Sequence, residues 1–226
     1  MRYLLDSASI KDIEKVFEFF PMSGITTNPT IISQENRPFF DIIDDIRAVI
    51  GPDMMLHVQV VGNTQEDMLK DAEVLRKRVG GNIYISVPVT MEGYKTMKVL
   101  KKRDFKVTAT AIYTPAQALL AANCGADFTA PYVNRIDNIS GMGVSVVSMI
   151  TKLFEIHGLP TQVLAASFKN VQQIHEVALA GCESVTVSPD LMWRIAEHPL
   201  TDMSVALFEH DWHKIYGDDV CVYNCK

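Results

Sequence analysis

Polar side chains stand where a series of short apolar runs end, and together they make a set able to do carbonyl chemistry. Asp6 closes the first run and Thr26-Thr27-Asn28-Pro29 the second. Gln59, Ser86, Thr108 with Thr110, Tyr132-Val133-Asn134-Arg135, Ser167 with Lys169, and Ser188 close the others. One carboxylate, several hydroxyls, three amides, a phenol and a guanidinium suit cleavage of a carbon–carbon bond beside a carbonyl. That reaction leaves a carbanion, which needs an electron sink. A lysine Schiff base is one such sink, formed by an amine that desolvation keeps unprotonated. A phenol and a carboxylate would then move protons, while hydroxyl and amide groups hold the water that forms and hydrolyses the imine. Arg135 and Ser167 suit a phosphate, because a guanidinium fork matches its oxygens.

Taken singly, each residue also has a plain structural reading. Asp6 could cap the helix that follows it, and Asn28-Pro29 could be a turn. Tyr132 could be a barrel aromatic with a satisfied hydroxyl. Arg135 could form a solvated ion pair with Asp137, an interaction of little energetic consequence. His57, His210 and His213 read as packed or solvated residues rather than ligands.

Positioning such a set on one rim requires a repeating scaffold, and the chain has one. Eight β-rich runs, at about 2–5, 24–27, 55–61, 83–89, 106–113, 126–132, 162–168 and 184–187, each precede a helical run. Strands alternating with helices at this spacing imply parallel βαβ units. Eight of them predict an α/β fold of the closed, eight-stranded parallel β/α (TIM) barrel type, with chemistry at the C-terminal strand ends. Gly125, Gly158 and Gly181 fall just after predicted helices, and Pro115 follows Thr114 as at a helix start. An open doubly wound sheet is the alternative, but neither G-x-G-x-x-G nor a P-loop follows the first strand. A ninth segment, about 202–217, has one largely apolar face and predicts a C-terminal helix that docks on its own barrel or on a neighbouring subunit.

The 226 residues carry a net charge of −6. That length is enough for a single domain, 1–226, burying roughly 70–75% of the unfolded surface. The acidic balance argues against nucleic-acid and anionic-membrane partners. No stretch reaches the ~18 apolar residues of a membrane span, and the N-terminus lacks the apolar core of a signal peptide, so a cytoplasmic protein is expected. Cys124, Cys182, Cys221 and Cys225 are then expected to be reduced. No histidine or cysteine cluster predicts a metal, and no cofactor is expected.

The runs Gly24-Ile25-Thr26-Thr27-Asn28-Pro29, Val87-Pro88-Val89-Thr90, Ala130-Pro131-Tyr132-Val133-Asn134-Arg135-Ile136-Asp137 and Leu164-Ala165-Ala166-Ser167-Phe168-Lys169 resemble the small transaldolase family, from Asp6 to about Gly217. The resemblance is to its fructose-6-phosphate aldolase branch. It implies a β/α barrel, a sugar or sugar-phosphate substrate, and a ring-shaped homo-oligomer, pentamer or decamer, in which the terminal helix packs on a neighbour. It also implies that Asp6 assists proton transfer, Tyr132 is the acid/base phenol, and Gln59 with Thr110 hold the catalytic water. Thr26 and Asn28 would hold substrate hydroxyls, and Arg135 with Ser167 the phosphate. Gln59 and Tyr132 mark the aldolase branch, since transaldolases proper tend to carry glutamate and phenylalanine there.

Ser86 departs from the pattern. It occupies the place of the Schiff-base lysine on the fourth strand, and a hydroxyl cannot form an iminium, so covalent catalysis is expected to fail. With the rest of the set intact, a single lysine-to-serine replacement, deliberate or recent, is the favoured reading. A non-catalytic sugar-phosphate binding or regulatory protein is the alternative. Lys169 would have to reach across the barrel mouth to substitute, and Lys106, at the start of a strand, is expected at the opposite face.

Overall fold

A computed structural model describes residues 1–225. Eight strands form one closed, wholly parallel barrel in chain order: β1 (Arg2–Asp6), β2 (Gly24–Thr26), β3 (Met55–Gln59), β4 (Ile83–Pro88), β5 (Val107–Ile112), β6 (Phe128–Pro131), β7 (Gln162–Ala165) and β8 (Ser184–Val187). Register pairs Leu5 with both Ile25 and Val187, which closes the ring. Eleven α-helices accompany the strands: α1 (Ile10–Phe19), α2 (Pro29–Gln34), α3 (Phe39–Ile50), α4 (Gln65–Val79), α5 (Met91–Lys102), α6 (Pro115–Asn123), α7 (Val133–Asp137), α8 (Gly143–Ile156), α9 (Val171–Leu179), α10 (Pro189–Ala196) and α11 (Pro199–Tyr216). The barrel is therefore the eight-stranded α/β architecture that the repeat predicts, with an additional C-terminal helix.

The strands are nearly continuous apolar runs because a parallel strand is covered on both faces. Leu4, Leu5, Ile25, Leu56, Ile85, Val107, Val163 and Val185 are all buried. Inside the barrel, Leu4, Met55, Phe128 and Leu164 form a plug with Tyr84 packed against it. Each fully buried aliphatic side chain of this kind stabilises the fold by roughly 1.5–3 kcal/mol. The plug fills the lumen below the C-terminal mouth.

Helix starts follow local side-chain chemistry. Ser9, Asn28, Thr64, Thr90, Thr114 and Asn170 each cap a helix by accepting a backbone N–H, and Thr114 with Gln117 completes a capping box. Gly125, Gly158 and Gly181 all adopt positive φ just beyond helix ends. Gly93, in the first turn of α5, has a different reason to be glycine. A Cβ there would lie 1.9 Å from the Pro88 carbonyl oxygen, so this turn packs directly on the end of the strand that carries Ser86.

Two short helices go beyond the sequence expectation. Asn28-Pro29 is not merely a turn: it is the N-cap and first residue of α2. Tyr132 is followed at once by α7, which the apolar pattern is too short to reveal.

The chain divides into two compact units, Met1–Leu191 and Met192–Lys226. In the second, α11 is capped by His198, whose Nδ1 accepts the Leu200 N–H, and the Trp212 indole donates to the Val220 carbonyl at 2.6 Å. No helix among the described residues is long and apolar enough to cross a membrane.

Candidate active site

A cavity of about 120 Å³ opens at the C-terminal end of the strands, lined by sixteen residues. All nine of the site residues expected from sequence border it: Asp6, Thr26, Asn28, Gln59, Ser86, Thr110, Tyr132, Arg135 and Ser167. Ser188 does not, and Thr186, two residues earlier on the inner face of β8, takes that place.

Asp6 ends β1 and points into the lumen rather than toward α1, whose cap is Ser9. The capping reading of Asp6 is thereby excluded. Its Oδ1 accepts a 2.7 Å hydrogen bond from the Thr26 hydroxyl, and Thr26 Oγ1 lies 2.6 Å from Thr186 Oγ1. Thr26 has one proton, so when Asp6 is ionised the Thr186 hydroxyl must be the donor of the second bond. Burial pushes the Asp6 carboxyl up from 3.8 to about 6, with Thr26 and the Arg135 charge pulling the other way. A carboxyl held there can both take and give a proton near neutrality.

Across the mouth, Tyr132 links β6 to α7. Its phenol oxygen is 2.8 Å from Thr110 Oγ1, and burial raises its pKa against the opposing effects of Thr110 and Arg135. The pairing depends on a bulge in β5. Register with β6 shifts between Ala109 and Ile112, Ala111 takes φ 59°, and the Tyr132 N–H bonds to the Ile112 carbonyl at 3.0 Å. A bulge re-aims the neighbouring side chains, and here Thr110 meets the phenol.

Arg135 does not pair with Asp137. Asp137 accepts instead from the Gly143 N–H and the Gln173 side-chain amide, each at 2.7 Å. The guanidinium lies 4.8 Å from the Tyr132 ring centroid, which leaves its fork for the cavity. Ser167 adopts φ 62°, a left-handed conformation that is unusual for a residue with a Cβ and typical of positions where backbone strain serves a site. Asn28 has two duties: its Oδ1 accepts the Ile31 N–H at 3.0 Å as the cap of α2, and its side chain borders the cavity.

Ser86 sits in register between Gln59 on β3 and Thr108 on β5. It is buried among protein atoms except where it meets the cavity. Among the described residues no lysine lines the site. Lys169 follows β7 and engages Gln173 through its backbone N–H, while Lys106 bonds Asn82 at 2.7 Å beside Tyr84, at the N-terminal end of the barrel. Neither amine borders the cavity.

One lining residue adds to the set read from the sequence. His57 is packed, being 1% exposed, but it packs inside the lumen and borders the cavity. Its Nδ1 lies 2.8 Å from Thr108 Oγ1, and its ring stacks on Tyr84 at 4.6 Å. Burial, helped by the Arg2 charge, lowers its pKa to about 3, so the imidazole is neutral. Its spacing of two from Gln59 on one strand was the signal available, because residues i and i+2 share a face. Among the described residues, no group of three or more His, Cys, Asp or Glu side chains is placed to hold a metal ion.

Comparison with known proteins agrees with this geometry. A profile described as Transaldolase/Fructose-6-phosphate aldolase matches residues 3–219. The chain is 40% identical over 216 residues to a probable fructose-6-phosphate aldolase of Streptococcus pneumoniae, covering 95% of this chain and 97% of that one. It is 35% identical over 214 residues to a probable transaldolase of Geobacillus sp., covering 95% and 99%. It is 32% identical over 218 residues to a probable transaldolase of Agathobacter rectalis, covering 96% and 100%. In fold alone it is similar to inosine 5′-monophosphate dehydrogenase from Legionella pneumophila, with a TM-score of 0.58, 17% identity and coverage of 85% of this chain and 59% of that one. A parallel barrel carrying a partly buried carboxyl, a phenol–hydroxyl pair and an arginine on one rim, matched over nearly its whole length, places the chain in the transaldolase/fructose-6-phosphate aldolase family.

Proposed function

We propose that this chain binds fructose 6-phosphate, or dihydroxyacetone with an aldehyde, in the barrel mouth of an aldolase/transaldolase-type enzyme, and that Ser86 leaves it unable to run the Schiff-base reaction. The observation that carries this reading is the cavity lining: a complete proton-transfer and binding set surrounds Ser86, with no amine among it. Arg135 and Ser167 receive the phosphate, Thr26 and the Asn28 amide hold hydroxyls, and Asp6 takes the proton from the hydroxyl whose carbon becomes the aldehyde. Tyr132, paired with Thr110, protonates the carbanion, and Gln59 with Thr110 orients water. That phenol suits an aldolase, which must protonate its dihydroxyacetone-type carbanion and release it. A serine oxygen at position 86 cannot accept the electron pair of the breaking bond.

Ser86→Lys tests the reading directly. Borohydride with dihydroxyacetone should leave the unaltered chain at its own mass and add one reduced adduct to the variant. The variant should also cleave fructose 6-phosphate. A folded variant that forms no adduct would refute this reading and favour a protein that only binds sugar phosphates.

We further propose that α11 packs on a neighbouring subunit of a homo-oligomer. Leu207, Phe208 and Ile215 on this helix are 56%, 66% and 72% exposed in the single chain, more apolar surface than an isolated helix leaves in water.

A further inference from the structure

We infer that the lumen beside Ser86 is a binding site for a small primary amine, and that with such an amine bound this barrel cleaves ketose phosphates without a lysine of its own. The inference rests on the reading above, that the mouth is built for ketose chemistry.

The groups around this part of the cavity share one property. Ser86, Thr108 and Thr110 offer hydroxyl lone pairs, Gln59 an amide oxygen, Asp6 a carboxylate, and His57 an imidazole that burial keeps uncharged. Two of them lack partners. His57 Nε2 is buried with no hydrogen bond, although Nδ1 of the same ring is engaged by Thr108. If Nδ1 donates to Thr108, Nε2 presents a free lone pair. Ser86 Oγ likewise has no hydrogen bond among the described residues, whereas Thr26, Thr27, Thr108 and Thr110 all make one. A buried polar atom without a partner costs roughly 1–3 kcal/mol, so His57 Nε2, beside the cavity-facing Ser86 hydroxyl, marks a place where a donor belongs. Arg135 is the one cationic side chain on the lining, and its fork is the group that the reading above gives to the substrate phosphate. An N–H donor with a short alkyl stem therefore complements the site in hydrogen bonding and in charge. Its stem would occupy the length by which serine falls short of lysine.

The chemistry then closes. The amine binds as its ammonium ion and gives one proton to the Asp6 carboxylate, and the freed nitrogen adds to the ketose C2 carbonyl while its second proton passes to the former carbonyl oxygen. The resulting carbinolamine hydroxyl leaves as water after taking the proton held by Asp6, giving an iminium that is not attached to the protein. Asp6 next takes the C4 hydroxyl proton, the C3–C4 bond breaks, its electron pair moves into the iminium to give an enamine, and the aldehyde departs. Tyr132 protonates the enamine carbon, water adds to C2, and dihydroxyacetone and the amine are released as the phenol regains its proton. Amine and water are both regenerated, so no oxidant or reductant is needed.

The test uses the full chain, fructose 6-phosphate and n-propylamine, with aldehyde release as the readout. The expected result is a saturable, amine-dependent rate at least about tenfold above the protein-free mixture of amine and sugar. Ser86→Leu, which fills the space, and Thr108→Val, which removes a lining hydroxyl without adding bulk, should each lower it. Borohydride should trap an N-propylated sugar and leave the protein at its own mass. If Ser86→Lys is active without amine while the unaltered chain shows no saturable amine response, the amine site is wrong and the functional reading stands. If Ser86→Lys is folded and inert, the functional reading fails. NMR titration of labelled n-propylamine then decides the amine site, with saturable binding weakened by Thr108→Val supporting it and no binding overturning it.

Discussion

Tyr132 and Thr110 share a 2.8 Å hydrogen bond between adjacent strands, and that bond exists because β5 bulges at Ala111. The phenol is thereby fixed over the cavity, with its pKa raised above the usual tyrosine range by burial. A phenol that remains protonated at neutral pH is a proton donor awaiting a carbanion.

Tyr132→Phe, made together with Ser86→Lys, should therefore separate imine formation from turnover. Borohydride trapping with dihydroxyacetone should persist, while release of product from fructose 6-phosphate should fall by about 10²–10⁴-fold. Equal loss of trapping and turnover would remove the phenol from the protonation step.

Arg135 should distinguish substrates by charge. Arg135→Ala removes the guanidinium that faces the cavity, and a charge-assisted hydrogen bond of ~1.5–3 kcal/mol corresponds to roughly 10–150-fold in affinity for fructose 6-phosphate. Dihydroxyacetone, which has no phosphate, should bind as before. Isothermal titration with both ligands measures the ratio, and equal weakening of the two would place the phosphate elsewhere.

Asp6 should make stability depend on pH with a defined sign. A carboxyl raised from 3.8 to about 6 binds its proton more tightly in the folded chain than in the unfolded one. Above about pH 6 both states are ionised and the fold carries the full cost, ~3 kcal/mol. As pH falls from about 6 toward 4, the folded state is protonated first and the cost disappears. Asp6→Asn should therefore raise the urea midpoint at pH 8 and leave it nearly unchanged near pH 4, below which the unfolded chain is protonated as well. A midpoint that drops at pH 8 would show that the carboxylate is favourable where it lies.

The α11 surface predicts assembly. Phe208→Glu together with Leu207→Glu should lower the mass measured by light scattering, because a charge cannot be buried unpaired in an apolar contact. The same mass for the altered and unaltered chains would assign the helix another role.

The sequence alone determined the barrel and most of its rim. Period and turn chemistry are local, so eight apolar runs, each followed by a helix with its own cap, were readable one by one, and their polar ends named Asp6, Gln59, Ser86, Tyr132 and Arg135. Only the tertiary structure decided what those side chains do to one another. Thr186 reaches Thr26 across the closing seam between β8, β1 and β2, a contact between residues 160 positions apart that no local pattern announces. Asn28 gives its oxygen to α2, Arg135 leaves Asp137 for the face of Tyr132, and His57 turns into the lumen with one nitrogen unpartnered. The physical reason is that burial and hydrogen-bond partnership depend on register around a closed ring. The chain sets the order of its strands residue by residue, but closure sets which polar atoms meet.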